Sequence, residues 1–138
     1  MAGGRYPEAT EALRLGLLAL PDVAALAGDR VGTEVVGDEP CIQLDVIGGP
    51  MGYGSASPLV QIGCWGRYLG DGTDDGSAWQ LASAVTADRV GVESIRGELD
   101  GGWVAGVGID LQPYTSPDPT NDRPRYLLTV RMHTSPLE

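Results

Sequence analysis

Three groupings in this sequence have the residue types for chemistry. Asp71, Thr73, Asp75 and Gly76 place oxygen-bearing side chains at alternate positions ahead of a glycine, the start of a calcium loop of the EF-hand type. Such a loop closes with a bidentate Glu at its twelfth position, and here that position is Ala82. The stretch reads instead as an acidic turn entering a helix, whose N-terminal end favours carboxylates. Asp45 and Asp110 are carboxylates on two expected strands, a general acid and base if the strands were neighbours. Nothing in their spacing brings them together, and a solvated sheet face is the plainer reading. His133 is the single histidine and a candidate general base. It stands on a polar strand face with no nucleophile motif of the GxSxG kind, so it is expected in solvent or at an interface.

Other chemistry is excluded by residue types that are missing. All nine basic residues are arginine, so there is no lysine for a Walker-A loop, a Schiff base or a Ser-Lys dyad. One histidine leaves no HExxH metal site. The glycine-rich pieces at 48–49 and 101–108 do not form GxGxxG between a strand and a helix, so no dinucleotide site is expected. Cys41 and Cys64 are too few for a disulfide framework in 138 residues and read as buried, reduced thiols. The sequence therefore predicts no catalytic set, no cofactor and no metal, and a protein that is not an enzyme.

The elements that carry these residues follow from hydrophobic period. A helix is expected over Tyr6–Leu20, with Ala9, Ala12, Leu13, Gly16, Leu17 and Leu20 on one stripe and Leu15 and Leu18 off it. Pro21 and Asp22 stop it and begin a short turn over Val23–Ala27 that Gly28 closes. Period-two alternation predicts strands over Cys41–Ile47, Leu59–Trp65, Trp103–Leu111 and Arg125–His133, with a further short strand near Val31–Val36. In the third of these, Trp103, Ala105, Val107, Ile109 and Leu111 fall on one face. A second helix is expected over Ser77–Arg89, with Ala78, Leu81, Ala82 and Val85 inward and Trp79 at the margin. The fold class is α+β: a small, mostly antiparallel sheet of four to five strands with two helices packed on one face.

A chain of 138 residues suits one domain spanning 1–138. Two connections exceed ordinary hairpin length, 48–58 and 113–124. Both join glycine or proline to large side chains, Met51 and Tyr53 in the first and Tyr114 in the second, as docking arms do. A net charge of −10 opposes binding to nucleic-acid phosphates. No segment reaches the ~20 apolar residues that span a bilayer, so no membrane contact is expected and synthesis is expected in the cytoplasm.

Against this background the sequence resembles a known family. The run from Leu20 through Asp22, Val23, Leu26, Gly28 and Arg30 to Val31 is similar, in the order of these residue types, to a segment of the tail terminator, or tail completion, proteins of long-tailed bacteriophages. Pro40-Cys41-Ile42 resembles their strand entry, Val60 to Trp65 their "v-x-i-x-x-W" strand, and Arg125 to Arg131 their final strand. The resemblance implies a structural virion protein of the tail and neck. Such a protein forms a homohexameric ring on the head-proximal end of the tail tube, ends polymerisation of the major tail tube protein and joins the head–tail connector or stopper. Genome DNA then passes through the lumen without specific binding. Leu15, Leu18, Met51, Tyr53 and Tyr114 are the candidate interface residues. The alternatives are another neck protein, such as a head-completion adaptor or stopper, and a small monomeric ligand-binding domain.

Overall fold

The computed structural model of the chain describes residues 6–49, 51–52 and 55–136. The molecule is α+β, with helices α1 (Ala9–Leu18), α2 (Pro21–Ala27) and α3 (Ser77–Thr86) and a 3-10 turn at Val92–Ser94. Its strands are β1 (Val31–Gly32), β2 (Cys41–Gly48), β3 (Met51–Gly52), β4 (Ser55–Ala56), β5 (Leu59–Trp65), β6 (Gly97–Leu99), β7 (Gly102–Thr115) and β8 (Arg125–Pro136). All eight belong to one sheet, in which β2, β5, β8 and β7 lie side by side and antiparallel. Among the described residues only β1 runs parallel to its neighbour, β2. The three helices correct the expectation of two, because Pro21–Ala27 completes a helix rather than a single turn.

Helix α1 starts later than its apolar stripe suggests. Glu8 is the N-cap, its carboxylate accepting from the backbone N–H of Thr10 at 3.4 Å and of Glu11 at 2.7 Å. That leaves Pro7 outside the helix. The buried stripe is Ala12, Leu13, Gly16 and Leu17, as the period requires. Gly28 closes α2 at a φ of 57°, its N–H donating to Ala24 O at 2.9 Å. All three helices cover one face of the sheet. There Ile42, Leu44, Val60, Ile62, Cys64, Leu128, Val130 and Met132 join Leu13, Leu17, Val23, Leu81 and Val85 in one apolar cluster.

Three expectations about the strands need correction. In β7, residues Ala105 and Asp110 are extra, as is one residue between Leu111 and Tyr114, so the register shifts at three points. Each bulge reverses which side chains face the core. Val104 and Val107 therefore point inward, while Trp103 and Leu111 stand in solvent. Secondly, the described residues of 48–58 do not form an open loop. Met51 pairs with Ala56, Gly52 with Ser55, and Ala56 with Thr134 of β8. Met132 N–H donates to Pro58 O at 3.0 Å, so the free edge of β8 takes up this stretch. Thirdly, β7 runs on through Pro113 to Thr115. Proline is tolerated there because at Pro113, beyond the reach of β6, the described residues place only β8 beside β7, and the missing N–H faces outward.

The shortened connection 116–124 is fixed rather than mobile. Ser116 N–H donates to Arg125 O at 2.8 Å and Asp118 N–H to Arg123 O at 3.0 Å. The carboxylate of Asp118 accepts from Thr120 N–H at 2.8 Å. Arg123, only 5% exposed, reaches across to three carbonyls: Gly66 at 2.8 Å, Gly37 at 2.9 Å and Glu39 at 3.0 Å. A loop so tied does not wait for a partner to order it.

Cys41 and Cys64 are both buried and reduced. They project to opposite faces of the sheet, since Ile42 is the partner of Cys64 and Trp65 the partner of Cys41. Burial raises the Cys64 thiol far above its ordinary range. Neither thiol should react with iodoacetamide in the native protein at pH 8, and both should react in denaturing urea; mass spectrometry of the alkylated chain checks this.

Candidate assembly surface

Among the described residues no helix lies over the second face of the sheet. Trp65 lies on this face yet is only 6% exposed, because its own neighbours cover it. The guanidinium of Arg125 sits 4.9 Å from the indole centroid and that of Arg123 at 5.5 Å, both cation–π contacts. The indole N–H donates to Gln43 Oε1 at 3.3 Å. Beneath it lies Gly63, where a Cβ would come within 3.3 Å of that nitrogen, so glycine makes room for the ring. Beside the tryptophan a shallow depression of about 280 Å³ is lined by Gln43, Asp45, Gln61, Gly63, Arg125 and Leu127.

The residues considered for chemistry are dispersed. Asp45 is on β2 and Asp110 on β7, with β5 and β8 between them, roughly 14 Å at ordinary strand spacing. Asp110 faces Arg131 at 3.5 Å instead. His133 is exposed, with Ser57 Oγ 3.4 Å from its Nδ1. No carboxylate bonds the other ring nitrogen among the described residues, so the pair lacks the group that would orient a base. The acidic turn ahead of α3 uses its carboxylates on its own backbone. Asp71 accepts from Thr73 N–H at 3.0 Å, Asp74 from Gly76 N–H at 2.8 Å and Asp75 from Ser77 N–H at 3.0 Å. The Ser77 hydroxyl lowers the pKa of Asp75, the Thr73 hydroxyl that of Asp71, and Arg67 that of Glu39. Among the described residues no cluster of three or more His, Cys, Asp or Glu could hold a metal ion.

What the surface does offer is large apolar side chains held in water by rigid elements. Trp79 on α3 is 54% exposed, tilted against Tyr126 with ring centroids 5.3 Å apart. Tyr114 and Leu111 stand 44% and 50% exposed on the helix-free side of β7, and Trp103 lies further along the same strand. Val46 and Ile47 are exposed at the far end of β2. Of the interface residues expected from the sequence, Tyr114 belongs to this set. Leu18 is packed against the core where α1 meets α2, and Leu15 is half-buried. Met51 is in β3, and Tyr53 lies outside the described residues. The sequence pattern misses Leu111 and Trp103 because the bulges that expose them have only neighbouring glycines as a signal.

Compared with known proteins, the chain matches no protein-family model and no curated protein. Function therefore rests on the residues themselves and on the motif order read from the sequence.

Proposed function

We propose that this chain is a structural subunit of a bacteriophage tail: a terminator that caps the head-proximal end of the tail tube, ends its polymerisation and presents the surface that joins the head. It works as a ring of identical copies around the DNA channel, with no bond made or broken. The observation that carries this reading is the display of Trp79, Trp103, Leu111 and Tyr114 in solvent on helix and strand, above a filled core. Side chains of this size on rigid elements suit surfaces that are covered on assembly. The segments behind the family resemblance support it too. Cys41, Val60–Trp65 and Arg125–Arg131 lie on β2, β5 and β8, three adjacent strands at the middle of the sheet.

The mechanism is steric. One rim of the ring matches the last layer of tube subunits, and the other does not repeat the tube's surface, so growth stops. The pinned loop at 116–124 and the pairing of residues 51–52 with 55–56 make these rims preformed, which avoids the entropic cost of ordering an arm on docking. A net charge of −10 per copy gives the assembly an acidic character along which DNA slides without adhering.

The test is native mass spectrometry with electron microscopy of the concentrated protein, followed by addition to polymerising tail tube subunits. The expected result is a six-membered ring that stops tube growth. Rings that bind the connector but leave the tube growing would identify the stopper alternative. A strict monomer that binds a small molecule saturably would overturn the assembly reading.

A further inference from the structure

The hollow on the helix-free face has a glycine for its floor. Gly63 sits between Gln43 of β2 and Leu127 of β8, and a Cβ there would stand 3.5 Å from Leu127. At about 280 Å³ the hollow is smaller than the ~300–1,000 Å³ of ordinary small-molecule sites and nearer the room one large side chain takes. Its lining offers an apolar wall in Leu127, acceptors on Asp45 and Gln61, and the guanidinium of Arg125. That set suits an indole: a flat floor for the ring, a cation near its π face and an acceptor for its N–H. We infer that the hollow receives Trp79 of a second copy, so that α3 of one copy lies over the bare sheet of the next. Closure of these contacts into a ring rests on the reading above.

Three features support Trp79 as the occupant. First, unmet hydrogen-bonding groups match. Trp79 is 54% exposed on a rigid helix, and among the described residues its indole N–H has no partner. The Asp45 carboxylate and the Gln61 amide of the hollow have none either. Secondly, the charges are complementary. Trp79 leans on Tyr126, which lines a neighbouring depression whose charged residues are Asp74 and Asp122. The receiving hollow carries Arg125, which gives Nε and Nη2 to Ser116 and leaves Nη1 without a partner among the described residues. Asp45 stands at the opposite corner, two strands and two rows from Arg125, where it meets the indole rather than the carboxylates beside it. Thirdly, α3 carries no charged residue from Ser77 to Thr86, so its outer face approaches another copy of a −10 chain without repulsion of its own.

The tryptophan and the hollow lie on opposite sides of the sheet. No copy fills its own hollow, and two copies cannot fill each other's across one two-fold contact. Each junction leaves one tryptophan and one hollow free, the head-to-tail arrangement from which rings close. Trp103, the rival side chain, shares the helix-free side with the hollow and would give a two-fold pair instead.

Sedimentation of the concentrated full chain measures the self-association. Trp79→Ala should weaken it at least about tenfold, as loss of a central interface tryptophan does, and Gln61→Trp, which fills the hollow from within, should do the same. Trp103→Ala should leave it nearly unchanged. Mixing the two impaired variants should restore a single junction, because Trp79 of the Gln61→Trp chain enters the intact hollow of the Trp79→Ala chain. Native mass spectrometry should then show heterodimers and nothing larger. If Gln61→Trp does not fold by circular dichroism, Leu127→Arg takes its place. Loss of the oligomer in Trp103→Ala but not in Trp79→Ala would mean contact between helix-free faces and overturn the junction. So would an oligomer that none of these variants weakens, or a mixture without heterodimers, and the ring would then stand without this interface. A Trp79-dependent oligomer that leaves tube growth untouched would keep the junction and overturn the terminator reading. A chain monomeric at every concentration would overturn both.

Discussion

Arg123→Ala should lower the free energy of unfolding by about 4 kcal/mol, more than most surface or loop substitutions. The guanidinium is nearly sequestered from water and donates to the carbonyls of Gly66, Gly37 and Glu39 at 2.8, 2.9 and 3.0 Å. Those carbonyls belong to the link after β5 and to the loop before β2, while Arg123 itself ends the 116–124 connection. Three separate segments therefore meet at one cation. Truncation leaves the carbonyl of buried Gly66 unpaired, at about 1–3 kcal/mol, and loses two further charge-assisted bonds to the carbonyls of Gly37 and Glu39, which lie on exposed residues where water replaces part of the interaction. The alanine also removes one of the two cations over Trp65.

Lysine should restore little. A single ammonium on a flexible stem cannot reproduce three N–H directions fixed in a plane, so Arg123→Lys should retain less than half of the lost stability. Urea unfolding followed by tryptophan fluorescence measures both. A loss below about 1 kcal/mol for the alanine would mean that the loops hold one another without the arginine.

The same residue marks where sequence ceases to be informative. Strands β2, β5 and β8 are legible because one covered face imposes strict alternation, and Ile42, Leu44, Val60, Ile62, Leu128 and Val130 obey it. Helices α1 and α3 are legible for the corresponding reason at period 3.6. An arginine in a stretch of prolines and aspartates has no period, and its burial depends on carbonyls 57 to 86 positions away. Strand β7 fails differently. Its alternation is real on each side of Ala105 and Asp110, but an extra residue shifts the phase, and a pattern read straight through assigns Trp103 and Leu111 to the wrong face. Of the assembly surface, Tyr114 is legible as an aromatic beside a long connection. Trp79 is legible only as marginal to its helical stripe. The hollow over Gly63 is not legible at all, because it depends on which strands flank β5.

Gly91→Ala should cost about 3 kcal/mol although it adds one methyl group. The cost is steric, since the φ of Gly91 is −97°, a value open to any residue. A Cβ here would lie 2.4 Å from Val85 O, 2.6 Å from Ala87 O and 2.7 Å from Ala87 N. All three are backbone atoms at the end of α3, and backbone cannot rotate aside as a side-chain tip does. The 88–91 turn must therefore open, breaking the 2.9 Å bond from Gly91 N–H to Ala87 O. Val92 follows immediately and is fully buried, and Ile95 fills the space over Gly16 of α1. Opening the turn thus draws two core side chains out of register, and overpacking that displaces a core backbone ordinarily costs 1–3 kcal/mol or somewhat more. Arg89→Gly is the control in the same turn. Arg89 has a φ of 67°, and glycine relieves that left-handed strain while adding freedom to the unfolded chain, so stability should change by less than about 1 kcal/mol. If Gly91→Ala proved as mild as Arg89→Gly in urea unfolding, the end of α3 would be compliant, and the close packing of this turn would not be what fixes Val92 and Ile95 in the core.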